Sequence, residues 1–240
     1  YTKTGSNHFD VVYLYNIADD KEYPITDGWY DSGMPSFSSD GKYLLYTANT
    51  EMKPIYSRIE WNFAMTNMSA TYMVMLAKDT PSPLLPTDGV SVEEKDSGKA
   101  GKKDKSASEE SKVKVVVDID GLQDRVIKLP FNAGYNYFCD GKKVWYGSKG
   151  DTKVFDFKTQ KSEECTKGRM SYRAGDKKAI IMDKGSISLA ALGSKMKGDK
   201  VSTKDVTAIV DYSLEWPEIY DEVWRAFRDG FYLENMHGRD

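Results

Sequence analysis

What this chain has little of narrows its chemistry first. It holds two histidines and two cysteines in 240 residues, and no apolar run long enough to span a bilayer. A membrane partner is therefore not expected. Cys139 and Cys165 lie in separate expected strands and lack the paired spacing of a zinc site. They read as two small buried side chains, with a disulfide between them as the alternative. There is no glycine-rich phosphate loop and no credible carboxylate pair, so neither a metal nor a cofactor is expected. Neither charge dominates: the formal net charge is -3 and the pI about 5.6. The basic residues are scattered rather than gathered into a phosphate-tracking stripe, which argues against a nucleic-acid partner. Residues 87–112 lack aromatics and carry no large aliphatic beyond Val90 and Val92. Such a segment cannot bury enough apolar surface to offset the entropy of ordering it, so a disordered, solvated insertion is expected, with a docking tail as the alternative. No signal peptide is present, and the chain opens on Tyr1, inside a strand approach. It reads as a piece of a longer protein whose compartment is not legible.

What is present is a weak repeat. In Met34–Ala48, MPSFSSDGKYLLYTA, Asp40-Gly41 separates two extended runs. Asp-Gly is a hairpin signal because the tight turn needs positive φ, which glycine adopts freely. Phe37 and Leu45 are expected to pack on one side of the sheet. The order of aromatic, Asp-Gly-Lys and strand returns in Tyr137–Tyr146, and again in Ser171–Ile181 with Gly175 and Asp176 transposed. Between these lie expected strands at Val11–Tyr15, Tyr72–Leu76 and Lys153–Phe157. Each is followed by a return strand, within Asn16–Ile25, Ala77–Leu85 and Lys158–Cys165. One hairpin buries too little to stand alone. A self-similar unit of short strands points to an all-β fold of β-propeller blades, with a β-sandwich as the alternative. The chain supplies roughly three to four blades of a six- or seven-bladed ring.

Along the chain, Tyr1–Ile25 reads as the end of one blade, with His8 in a solvated turn. Thr26–Gly33 leads to the next inner strand, and its Trp29 and Tyr30 either line a channel mouth or pack between blades. Glu51–Met68 is an aromatic-rich excursion in which Ile55–Trp61 could be helical. Order resumes at Val113–Leu122 and Asp124–Pro130. Lys195–Asp205 reads as a polar linker. Leu214–Phe231 then has apolar residues at 216, 219, 220, 223, 224, 227 and 231, the rhythm of an amphipathic helix. Pro217 fits its first position, acidic Glu218, Asp221 and Glu222 its N-terminal half, and Gly230 its stop. The expected division is 1–205 for the blades and 206–240 for a linker and the first helix of another domain.

Two motifs carry a family resemblance. Val117–Pro130, VDIDGLQDRVIKLP, resembles the strand-loop-strand of tricorn-type proteases. Glu222–Tyr232, with Asn235-Met236-His237-Gly238, resembles the helix that follows their second propeller. The resemblance covers almost the whole chain apart from the polar insertion. It implies a large serine peptidase with two propellers, a helical domain, a PDZ-like domain and a catalytic α/β domain, assembled as a homo-oligomer and acting on peptide substrates. By the same resemblance the compartment would be cytoplasmic, the alternative being periplasmic. This segment would be the substrate-gating propeller, and the family's nucleophile, base and oxyanion donors lie beyond it.

No catalytic residue is accordingly expected here. Acyl transfer needs a serine, a positioned base and oxyanion donors. The only imidazoles are His8, in a turn, and His237, which does not match the family's catalytic position. Arg125 is a binding candidate from charge alone, with an ion pair to Asp124 or Asp118 as its structural role. Two other classes remain open: a non-catalytic propeller that binds a peptide or protein, and a prolyl-oligopeptidase-like hydrolase. The latter would follow its propeller with a strand and a Gly-x-Ser-x-Gly elbow, not this helix.

Overall fold

In a computed structural model of the chain, the structure describes residues 1–53, 65–84, 113, 115–134, 136–173, 175–176, 178–233 and 235–238. The expected helix at Ile55–Trp61 and the polar insertion at 87–112 lie outside them. The chain divides into Tyr1–Val201 and Ser202–Asp240.

The first unit is four antiparallel sheets met in chain order. The first has three strands, β1 (Thr2–Thr4), β2 (Asp10–Asn16) and β3 (Lys21–Pro24). The second runs β4 (Ser32–Phe37), β5 (Tyr43–Ala48), β6 (Ala70–Met75) and β7 (Val126–Lys128). The third runs β8 (Tyr137–Cys139), β9 (Lys143–Ser148), β10 (Asp151–Asp156) and β11 (Lys161–Thr166). The fourth runs β12 (Arg169–Ser171), β13 (Ala179–Asp183), β14 (Ser186–Ala190) and β15 (Asp199–Val201). Each strand pairs with its sequence neighbour, and the chain then crosses to the next sheet. These are propeller blades.

The core lies between blades, which explains the near-continuous apolar character of the middle strands. Side chains alternate across a strand. Leu44 and Tyr46 of β5 therefore face the first blade, together with Val74 of β6, Val12 and Ile25. Tyr43 and Leu45 face the third, together with Met73, Val144, Tyr146 and Phe155. Trp145 and Val154 turn to the fourth blade, against Met170, Ala179 and Ile181. Burying each such side chain contributes about 1.5–3 kcal/mol. Both cysteines are free and buried, in different clusters.

Several local expectations are corrected. Phe37 stands opposite Leu44, and Ser36 opposite Leu45, so Phe37 and Leu45 face different sides. The hairpin register is set by Ser38, whose N–H donates to the Tyr43 carbonyl at 2.9 Å. Among the described residues of Ala77–Leu85 there is no return strand for the second blade: β6 pairs with β7, on the far side of the polar insertion. A turn of 3-10 helix, Leu122–Arg125, rather than a strand, leads into β7. The stretch read as a linker contains β15 and the buried Met196, because Leu189 and Ile187 of β14 offer it a ladder.

The Asp-Gly turns form as expected, with Gly41 at φ 71° and Gly141 at φ 90°. Successive turns also touch. Ser39 N–H donates to the Cys139 carbonyl at 2.9 Å, and the Asp40 carboxylate sits against Gly141.

In the second unit, helix α1 (Tyr212–Gly230) starts earlier than expected and Pro217 lies inside it. Asp211 sets the start: its carboxylate accepts the Ser213 N–H at 2.9 Å and the Ser213 hydroxyl at 2.6 Å. The apolar stripe is in place but none of it is buried; within the helix its exposure runs from 46% at Trp224 to 72% at Tyr220, and Phe231, just past the helix end, is half-buried. Among the described residues, no helix is long and apolar enough to cross a membrane.

The glycine turns give a controlled test. An added Cβ at Gly141 would stand 2.1 Å from Asp40 Oδ2, whereas at Gly150, with φ 91°, it would meet nothing within 4 Å. Both substitutions to alanine carry a positive-φ cost of roughly 1–2 kcal/mol. Gly141→Ala should lose a further ~1–3 kcal/mol from the clash. Urea unfolding of the two variants measures the difference, and equal losses would show that Asp40 does not constrain the turn.

Candidate functional site

Because neighbouring strands run antiparallel, alternate connections fall at opposite ends of the blades. One end carries the Asp-Gly turns and the β6–β7 connection. The other carries the β5–β6 connection, the β9–β10 turn and the crossovers between blades. The sequence candidates are divided between these ends. Trp29 and Tyr30 lie on the β3–β4 crossover, 75% and 41% exposed, with Trp29 N–H donating to Asp27 Oδ1 at 3.0 Å. Tyr30 borders a cavity of about 250 Å³ with Tyr46 and Tyr72, whose rings stack with centroids 5.3 Å apart.

Arg125 lies at the opposite end, and its guanidinium is spent on backbone. Nε donates to the Met75 carbonyl at 3.0 Å, Nη1 to Asp120 at 2.9 Å, and Nη2 to Leu76 at 3.2 Å and also to the Asp118 carbonyl. The Asp118 carboxylate instead accepts the Lys78 N–H at 2.7 Å. Arg125 thus fastens the 118–120 segment to the end of β6 through carbonyls rather than carboxylates.

One concavity was not anticipated. A cleft of about 860 Å³ lies at the crossover end, where the second and third blades meet. One wall leaves β5, held by the Asn49 N–H to the Asp31 carbonyl at 2.9 Å and the Glu51 N–H to the Met68 carbonyl at 2.8 Å. The floor is the β7–β8 crossover. Leu129 N–H donates to the Thr71 carbonyl and Ala133 N–H to the Thr71 hydroxyl, both at 2.8 Å. The Asn132 amide donates to the Ser69 carbonyl, and the Phe131 ring stacks on Tyr146 at 4.2 Å. The far wall is the turn Lys149-Gly150, with φ 54° and 91°. Positive φ at both positions is the type I′ pattern of a two-residue hairpin.

Charge in this cleft is uneven. Lys53, Lys128 and Lys149 line it, and among the described residues Glu51 is the one acidic side chain of the lining. Glu51 pairs with Lys128 and, at 3.4 Å, with Lys53. Hydrogen bonding to the Lys128 ammonium, then its charge and that of Lys53, hold the Glu51 carboxyl below its ordinary value, and Lys128 is raised in return. Among the described residues Lys149 has no carboxylate partner. The lining is therefore net positive, with amide side chains and an aromatic floor. It can hold an anionic chain but contains no acid–base machinery. Among the described residues neither imidazole meets a serine hydroxyl: His8 lies in an exposed turn at φ 63°, and His237 bonds to the Tyr232 hydroxyl. Among them, too, no group of three His, Cys, Asp or Glu could hold a metal ion.

A signal for the cleft was present in the sequence. Lys128 lies inside the VIKLP motif, Glu51 and Lys53 open the excursion after β5, and Lys149-Gly150 is itself a turn dipeptide. The alternation of connections assigns all of them to one end.

Comparison with known proteins agrees with this architecture. The family described as the tricorn protease second beta propeller domain matches residues 1–192, and the one described as the tricorn protease C1 domain matches residues 212–240. The tricorn protease of Thermoplasma volcanium is 24% identical over 92% of this chain and 22% of its own length. A putative tricorn-like protease C-terminal subunit of Sulfurisphaera tokodaii is 26% identical over 97% of this chain and 27% of its own. The chain thus spans about a quarter of such relatives. The crystal structure of the tricorn protease superposes with a TM-score of 0.66 at 18% identity, covering 98% of this chain and 24% of that one, which shows the shared fold.

The Glu51 pairing predicts a pH dependence of definite sign. Its folded value lies below the unfolded one, so its contribution is present above the ordinary carboxylate range and is lost as pH falls through the lowered folded value. Side-chain carbon NMR should find Glu51 titrating below 4.5 and moving back toward it in Lys128→Met. A Glu51 titration unchanged by that substitution would show that the pair does not form in solution.

Proposed function

Because the chain belongs to the tricorn protease family, we propose that it is part of a serine-type peptidase that degrades peptides, with this segment admitting and holding substrate rather than cleaving it. The observation that carries this reading is the order of the two matches, a second-propeller match over 1–192 followed by a C1-domain match over 212–240, together nearly the whole chain. The blades support it physically. They offer clefts and exposed aromatics at the crossover end, and among the described residues no nucleophile held by a base. Arg125 has four backbone partners to lose before it could meet a substrate carboxylate, so we place binding at the crossover end, where Trp29 and Tyr30 also lie. Homo-oligomerisation and a cytoplasmic site of action belong to the same proposal. For residues 1–201 and 202–240 we propose the roles of gating propeller and entry to the following domain.

The test is peptidase activity on a panel of fluorogenic peptides. The full-length protein should cleave them and lose that activity to a serine-directed inhibitor, while residues 1–240 alone should be inactive. Cleavage by residues 1–240 would overturn the division of labour, and loss of that cleavage in His237→Ala would identify the base. Inactivity of both would favour a non-catalytic propeller that binds a peptide or protein partner.

A further inference from the structure

We propose that the cleft between the second and third blades is a binding site for acidic peptide segments, with Glu51 as an internal carboxylate that the ligand's own carboxylate displaces. The proposal rests on the peptide-handling reading above and names the site and the side-chain chemistry it selects.

Three features of the cleft converge. Its volume of about 860 Å³ falls in the range of ligand-binding pockets, and it lies at the crossover end. Among the described residues its charge is three lysines against one carboxylate, so an entering Asp or Glu side chain is attracted and a basic one repelled. Finally, Glu51 already occupies the position a ligand carboxylate would take, between Lys128 and Lys53. Both partners are substantially exposed, with side-chain exposures of 52% and 59%, so exchanging one carboxylate for another requires little rearrangement. Lys149, across the cleft and without a carboxylate partner among the described residues, supplies a second point of attraction. Phe131, stacked on Tyr146, gives an aromatic floor on which an apolar neighbour of the acidic residue can rest.

The experiment uses the full-length protein, its active site blocked with a serine-directed inhibitor, and fluorescence anisotropy of labelled, C-terminally amidated peptides. The probes are a Glu-containing peptide, its Gln isostere and its Lys counterpart. The Glu peptide should bind most tightly, with an affinity that falls as salt is raised. Exposed pairs of this kind are worth about two- to fivefold each. Lys149→Ala and Lys53→Ala should each weaken the Glu peptide by about that factor while leaving the Gln peptide unchanged. Glu51→Gln should strengthen it by a similar factor, a gain that a purely structural Glu51 would not produce. Equal binding of the Glu and Gln probes, or insensitivity to the Lys149 and Glu51 changes, would overturn the proposal. So would binding that requires a free C-terminus. Cleavage by the uninhibited protein tests the peptidase reading separately, so either reading can fail without the other.

Discussion

Much of the first unit follows from one constraint: the middle strands of the second and third blades are covered on both faces. β5, β6, β9 and β10 send alternate side chains into two different cores, so none of them can present a polar face to solvent. Polar side chains are therefore pushed to the strand ends. The few buried ones must be satisfied, since an unpaired buried donor costs about 1–3 kcal/mol. Threonine meets that need repeatedly. Thr71 accepts the Ala133 N–H, Thr152 accepts the Met170 N–H at 3.1 Å and donates to the Gly168 carbonyl at 2.9 Å, and Thr26 accepts the Val12 N–H at 3.1 Å. These bonds tie a blade's strand to the crossover that leaves that blade or, for Met170, to the first strand of the next one. The buried threonines thus fix where each crossover starts, and so fix the walls of what opens at that end.

The cleft is a product of this arrangement. The second blade is bounded at the crossover end by a connection that leaves at Asn49 and returns at Met68, and the third by the tight Lys149-Gly150 turn. A long connection beside a short one leaves a step, and the β7–β8 crossover runs along its foot. Lysines suit such a rim, because their stems cover apolar surface while the ammonium groups stay in water. Its uneven charge is borne by side chains that no core requires, so it can change without disturbing the blades.

How much of this was legible in the sequence depended on whether the signal was local. Turn chemistry was, and Asp40-Gly41 and Asp140-Gly141 form as read, because positive φ is a demand of the turn itself. The repeat was legible because it is the turns that repeat. Phe37 was misplaced because side-chain facing depends on register, which a bulge between Gly33 and Ser36 helps to set. The partner of β6 was missed because β7 lies beyond a long insertion, and nearness in sequence favoured Ala77–Leu85. Pro217 marked a helix start by its own preference, but the Asp211 cap, with two bonds to Ser213, starts the helix first. The candidate site was the least legible part. Arg125 stood out by charge, yet an arginine beside a chain reversal has many carbonyls within reach. Lys53, Lys128 and Lys149, each unremarkable alone, gain meaning only when the blades bring them together.

A propeller without acid–base groups can still shape what a peptidase does. An enzyme's selectivity is a difference between free energies of competing substrates, and contacts remote from the reacting bond contribute to it. Exposed lysines contribute little each, but they act before commitment, through the rate and orientation of encounter. Glu51 sharpens that selection. Under the proposal made for the cleft, its hold on Lys128 and Lys53 sets a threshold that a neutral chain does not cross and a carboxylate does. A guide has to release what it binds, and a cleft whose own carboxylate competes for the lysines is built for release.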